Sequence, residues 1–287
     1  MGASSSLGAS PLRIDAHQHF WKYDPVKHGW INDEMWVIRR DYSPADLLPL
    51  LKSAGMDGCV TVQVNQEEEE NAGLLDLAAK NDFIKAVIGW VDLQHPDVEA
   101  RLEWYRNSPK LKGFRHILQG ERDRALMLKP AFKRGIALLN KFGYTYDILI
   151  FPDQLGYTRE FVAAFPDQPF IIDHIAKPHI KDRLITEEWK EAIRAVARCP
   201  NVYCKISGMV TEADWKHWKP EHFKPYLDTV VEAFGTNRVV FGSDWPVCLV
   251  AAAYEQVVAI VEDYFAAFSA DERSALFGAN AARFYHL

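Results

Sequence analysis

The chain has 287 residues, with 33 Lys plus Arg against 39 Asp plus Glu and a formal net charge of −6, so it lacks the electrostatic footprint of a nonspecific nucleic-acid or anionic-membrane binder. Hydrophobic residues make up 48% and charged residues 25%, a balance that excludes a disordered chain or a coiled coil and supplies a large core. The four cysteines, at 59, 199, 204 and 248, form no C-x-x-C pair. They read as free thiols, so a disulfide framework is not expected and a reducing cytoplasm is. No apolar run reaches the ~18 residues needed to span a bilayer; the longest candidate, residues 247–254, stops at Glu255.

Residues 1–11 are mostly small or polar, without a hydrophobic stretch, and are expected to be a tail or cloning remnant rather than a secretory signal. From residue 12 onward, short β-branched runs alternate with longer amphipathic stretches. Strands are expected at 12–17, 59–64, 84–91, 113–116, 145–150, 170–174, 202–206 and 239–242. Helices fit 43–54, 71–80, 129–142, 187–198, 223–234 and 254–268. Such alternation predicts βαβ units, and eight of them in one domain over 12–287 predict an α/β fold, a (β/α)8 TIM-like barrel, with a doubly wound open sheet as the alternative. Ser43-Pro44 marks one helix start and Ser269 with Glu272 a capping box. Pro49 lies inside the first helix, which is therefore expected to be kinked or to begin later. The acidic run at 67–70 reads as solvated surface complementing a helix start.

In a parallel barrel the active site stands at the C-terminal strand ends. Strand one ends Asp15-Ala16-His17-Gln18-His19, strand four Phe114-Arg115-His116, strand six Ile172-Asp173-His174 and strand eight Gly242-Ser243-Asp244. Period-two alternation puts His17 and His19 on one face, towards the axis. Two imidazoles aimed at one point can chelate a divalent metal or bind one substrate. Alternation also lets only one of Arg115 and His116 face the axis. The expectation is His116 inside, Arg115 paired beneath a helix, and Asp173 turned outward beside an inward His174.

Five segments together, Asp15-Ala16-His17-Gln18-His19-Phe20-Trp21, Lys112-Gly113-Phe114-Arg115-His116, Asp173-His174-Ile175-Ala176-Lys177-Pro178, Lys205-Ile206-Ser207-Gly208 and Phe241-Gly242-Ser243-Asp244-Trp245-Pro246, resemble the amidohydrolase superfamily. More narrowly, they resemble its sugar-lactonase branch, of the L-fuconolactonase and L-rhamnonolactonase type, to which 2-pyrone-4,6-dicarboxylate lactonase is related. The resemblance covers residues 12–287. It implies a site around His17, His19, His174 and Asp244, which are also the ligands if a metal is bound. Binuclear members carry a bridging Lys or Glu at strand four and a His at strand five. Arg115-His116 and Tyr146-Asp147 stand there instead, so a binuclear centre is not expected. The branch includes lactonases that work without metal, so the resemblance leaves open both one divalent ion, zinc or manganese, and none.

The expected reaction is hydrolysis of a sugar aldonolactone to the aldonic acid. Asp244 is the expected general base. His174 and His116 are further catalytic candidates, and the oxyanion falls to a metal or to imidazole and Arg115 donors. Gln63, Trp90 and Asp147 are candidates for hydroxyl recognition. Trp21 leads an aromatic loop with Tyr23, Trp30 and Trp36, and residues 215–226 form a second; both suit the apolar face of a sugar. The competing reading is a metal-dependent decarboxylase or a 2-pyrone-dicarboxylate lactonase on the same barrel. The partner expected is a small-molecule lactone, with neither nucleic acid nor membrane.

Overall fold

The computed structural model describes residues 12–182 and 185–287; the tail expected at 1–11 lies outside the described residues. Eight parallel strands run in chain order: β1 (Ile14–Gln18), β2 (Gly58–Val62), β3 (Ile84–Gly89), β4 (Leu111–His116), β5 (Thr145–Ile148), β6 (Phe170–Ile172), β7 (Val202–Ile206) and β8 (Val239–Phe241). A parallel bridge between Gln18 and Trp245 brings the exit of β8 back to β1. His19 N–H donates to Trp245 O at 2.7 Å and Asp244 N–H to His17 O at 2.8 Å, closing the ring. After successive strands come α1 (Pro44–Ser53), α2 (Glu68–Lys80), α3 (Val98–Tyr105), α4 (Pro130–Phe142), α5 (Leu155–Ala163), α6 (Glu187–Ala197), α7 (Lys224–Phe234) and α8 (Tyr254–Phe265). The short α9 (Ala270–Ser274) and α10 (Asn280–Tyr285) end the chain. This is the expected (β/α)8 barrel.

The local signals act as the sequence suggests. Ser43 caps α1 with Pro44 as its first residue, and the Asp46 carboxylate returns to Ser43 N–H at 2.9 Å. Ser269 and Glu272 form the capping box of α9. Pro49 neither delays nor ends α1, which continues to Ser53; the missing N–H costs one backbone bond without breaking the helix. Cys59, Cys204 and Cys248 are buried free thiols and Cys199 is partly buried. Among the described residues no helix is long and apolar enough to cross a membrane.

Alternation along the strands divides the apolar residues into two layers. Phe114, Tyr146 and Phe170 point outward, the first to meet Tyr105 of α3 and the other two to meet Phe132 of α4 and Phe161 of α5. Inside the barrel stand Ile14, Val60, Val62, Ile88, Ile171 and Val240, joined by Ala281, Phe284 and Tyr285 of α10. Just before α10, Gly278 lies so close to the start of β1 that an added Cβ would meet Leu12 O at 1.6 Å. The C-terminal helix therefore plugs the N-terminal end of the barrel, and polar chemistry is left to the other end.

The acidic run departs from expectation at its last member. Glu70 folds back over the β2–α2 turn, and its carboxylate accepts from Val64 N–H at 2.9 Å and Asn65 N–H at 2.7 Å. Burial pushes its pKa from the usual 4.5 up to about 7, against the lowering pull of those two bonds. Between these values the folded chain holds more protons than the unfolded chain, so this group makes stability fall as pH rises from about 4.5 to about 7. Glu70→Gln cannot ionise; urea unfolding at pH 5 and 7.5 should show a smaller loss across that window than in the wild type.

Candidate active site

The first histidine pair depends on a bulge. Asp15 aligns with Cys59 but Gln18 with Thr61, so β1 carries one extra residue against β2. Ile14 and Ala16 face the inner core, and beyond the bulge His17 and His19 do; the extra residue re-aims the strand end. Asp15 points outward and secures the β1–β8 junction. Its carboxylate accepts from Ser243 N–H (2.9 Å), Ser243 Oγ (2.6 Å) and Tyr254 Oη (3.2 Å). Burial pushes this carboxyl up to about 6 despite those bonds.

His17, His19, His174 and Asp244 converge. The three Nε2 atoms stand 3.9, 3.4 and 3.9 Å from Asp244 Oδ1. His19 Nδ1 lies 2.7 Å from Val62 O; a carbonyl only accepts, so Nδ1 carries a proton and Nε2 is the edge turned to Asp244. His17 Nδ1 lies 3.3 Å from Asp173 Oδ1, while Arg115 Nη1, a donor, faces its Nε2 at 3.4 Å. Lys205 Nζ, also a donor, stands 3.2 Å from Nδ1, so charged groups flank the ring of His17 at both nitrogens. His174 Nδ1 pairs with Ser207 Oγ at 2.9 Å. Burial pushes His17 and His174 well below the usual imidazole range, so both are neutral.

Three imidazole Nε2 atoms aimed at one carboxylate oxygen form a donor set of the kind that holds a divalent cation. Ligand atoms bonded to zinc at about 2.0–2.2 Å lie roughly 3.4 Å apart around a tetrahedron, close to the spacing found. His17, His19 and Asp244 could hold a metal ion, their ligand atoms lying within 4.8 Å of one another. The nitrogen and oxygen donors fit one divalent ion of the zinc or manganese kind.

Beneath this group lie two cations and two carboxylates, three of them fully enclosed and Arg115 reaching the cavity. Lys205 Nζ lies 2.5 Å from Asp147 Oδ2 and 3.0 Å from Asp173 Oδ1, and Arg115 Nη1 lies 3.1 Å from Asp173 Oδ2. Tyr285 Oη donates to Asp147 at 3.0 Å. Gln63 holds Arg115 from both sides: its backbone and side-chain oxygens accept from Nη2, and its Nε2 donates to Arg115 O.

Three expectations are corrected here. Arg115 faces the axis and His116 the helices, the reverse of the expected arrangement, because His116 shares parity with Phe114, which packs in the outer layer. There His116 meets Phe132 edge-on at 5.7 Å, receives the Trp90 indole N–H at 3.3 Å and lies 2.7 Å from Glu121. Asp173 turns inward, where Lys205 and Arg115 neutralise it. Gln63, Trp90 and Asp147 are engaged with Arg115, His116 and Lys205 rather than lining the cavity.

That cavity, of about 410 Å3, has His19, His174, Asp244 and Arg115 among its lining, with Trp21, Trp30 and Trp215 on its aromatic side. The size suits a small organic ligand. Of the first aromatic loop, Trp36 is 71% exposed and Tyr23 packs on His28 instead. Lys177 and Glu212 also line the cavity, and sequence reasoning assigned neither a role. Lys205 did leave a signal: a lysine inside the run Val-Tyr-Cys-Lys-Ile requires a buried partner.

Lys205→Met leaves Asp147 and Asp173 short of positive charge. Urea unfolding should show a loss of about 3–5 kcal/mol, partly recovered when Asp147→Asn is added. Asp173→Asn removes the negative charge beside His17 Nδ1. Zinc affinity, measured by competition with a chromophoric chelator, is expected to fall about 10–100-fold.

Comparison with known proteins agrees with this geometry. The chain is 42% identical over 286 residues to an L-fucono-1,5-lactonase of Burkholderia multivorans, covering 96% of each. It is 36% identical over 280 residues to an L-fucono-1,5-lactonase of Burkholderia ambifaria, again covering 96% of each. A crystal structure of an amidohydrolase from Burkholderia multivorans with bound zinc matches at a TM-score of 0.93 and 42% identity, over 96% of this chain and 99% of that one. The amidohydrolase family model matches residues 14–287, from the first strand to the last residue, and the chain belongs to that family.

Proposed function

We propose that this protein hydrolyses a sugar aldonolactone, of the L-fucono-1,5-lactone class, to the aldonic acid, with water activated by Asp244. The observation that carries this reading is the convergence of His17, His19 and His174 on Asp244 beside Arg115, at a cavity suited to one sugar ring. The identity of 42% to a protein named for that lactone supports the substrate class.

Asp244 removes a proton from water, whose oxygen attacks the lactone carbonyl carbon. The carbonyl oxygen becomes an oxyanion, and Arg115, the cation lining the cavity beside His17, supplies N–H donors to it. The carbon–ring oxygen bond then breaks, and the proton held by Asp244 passes to the departing ring oxygen. The acid formed ionises at neutral pH, so each turnover releases one proton to solvent. A divalent ion held by His17, His19, His174 and Asp244 would supply Lewis-acid polarisation and a more acidic bound water. Trp21, Trp30 and Trp215 offer apolar faces to the sugar ring. The free thiols fit a reducing compartment, and we place the reaction in the cytoplasm.

Proton release followed with a pH indicator, corrected for spontaneous opening, tests the reading on a panel of five- and six-membered aldonolactones. Turnover of a deoxy-L-sugar lactone is expected, and Asp244→Asn should lower kcat about 10²–10⁴-fold. Failure of folded, zinc- or manganese-supplied protein on the whole panel, or carbon dioxide release from an aromatic acid instead, would overturn it.

A further inference from the structure

The segment after β6 adopts a conformation that side chains rarely accept. His174, Ile175, Ala176 and Lys177 have φ of 54, 49, 60 and 49° in succession. Left-handed backbone is disfavoured for residues that carry a Cβ, and a β-branched residue such as Ile175 is an outlier there. The turn is closed by Lys177 N–H donating to His174 O at 2.8 Å. It brings Lys177 to the same cavity as His174, while Ile175 and Ala176 are buried in the outer core. Strain of this kind persists where surrounding structure imposes it, and it gathers at ligand sites.

Lys177 meets Glu212, which comes from the loop after β7. Nζ stands 3.1 Å from Oε1, and the two side chains are 18% and 19% exposed. Lys181 N–H donates to Glu212 O at 2.8 Å, fixing the acidic residue from a second direction. Both charged groups line the cavity that holds His19, His174 and Asp244. A carboxylate accepts and an ammonium donates, whereas a hydroxyl does both. Adjacent Glu and Lys side chains held in place therefore match two neighbouring hydroxyls of one ring, with little ordering cost on binding.

We infer that the Lys177–Glu212 pair is a hydroxyl-recognition subsite, which selects polyhydroxylated lactones over bare ones. For its substrate class this rests on the proposed lactone hydrolysis. A site built to hydrogen-bond a hydroxyl strongly disfavours an analogue without it, because its own polar groups are then left unpaired. A pair that only tied two loops together would not distinguish the two ligands.

The test compares L-fucono-1,5-lactone with δ-valerolactone as substrates, and a hydroxylated δ-lactam with δ-valerolactam as non-hydrolysed probes in calorimetry. For Glu212→Leu the ratio of kcat/KM for the hydroxylated lactone to that for the bare one is expected to fall at least tenfold, through KM. Glu212→Gln, which keeps one acceptor oxygen, should recover part of it, and Lys177→Met should lower the same ratio. Equal losses on both substrates, no change in the ratio, or no preference of the wild type for the hydroxylated lactam would overturn the inference. A wild type that hydrolyses neither lactone but binds the hydroxylated lactam through Glu212 would refute the hydrolase reading and leave the subsite standing.

Discussion

Lys205 and Arg115 neutralise Asp147 and Asp173 in the buried middle of the barrel, and the site above rests on that arrangement. Below it the interior is apolar and plugged by α10; above it the histidines turn towards the cavity. A buried charge without a partner is costly, whereas a mutually compensated set tolerates burial and fixes direction. Asp173 and Lys205 both stand against the Nδ1 edge of His17, turned away from Asp244, so the charge layer holds the ring with Nε2 towards the cavity. The chemistry at the mouth thus depends on electrostatics two residues deeper.

Closure of the barrel contributes the second constraint. Asp15 binds both the backbone and hydroxyl of Ser243, tying the first strand to the segment that carries Asp244. The bulge in β1 then turns His17 and His19 inward together, and Gly242 leaves room for that approach, since an added Cβ would meet His17 Cβ at 2.6 Å. Motif residues on either side of the ligand set, Asp15 and Ser243, serve the junction rather than the reacting atoms.

The cavity combines groups of different origin. His174 and Lys177 arrive on a strained left-handed turn, Glu212 and Trp215 on the loop after β7, and Trp21 and Trp30 on the loop after β1. Rigid strand ends hold the reacting groups, while loops shape what surrounds them, a division suited to altering ligand preference without disturbing the chemistry.

Much of this was legible in the amino-acid order. Alternating apolar runs determined eight βα units, because strand and helix periods are local properties. His17, His19, His174 and Asp244 could be assigned to one rim because strand ends of a parallel barrel share a direction. Parity was the weak point: Arg115 and His116 are adjacent, and only the packing of Phe114 against the helical layer settled which turned inward. Asp173 and His174 defeated alternation because positive φ follows the strand, placing both inside. Tertiary structure alone joined Lys205 to Asp147, Gln63 to Arg115 and Lys177 to Glu212. These partners lie 35 to 58 residues apart, and no local period records which distant charge will neutralise a buried one.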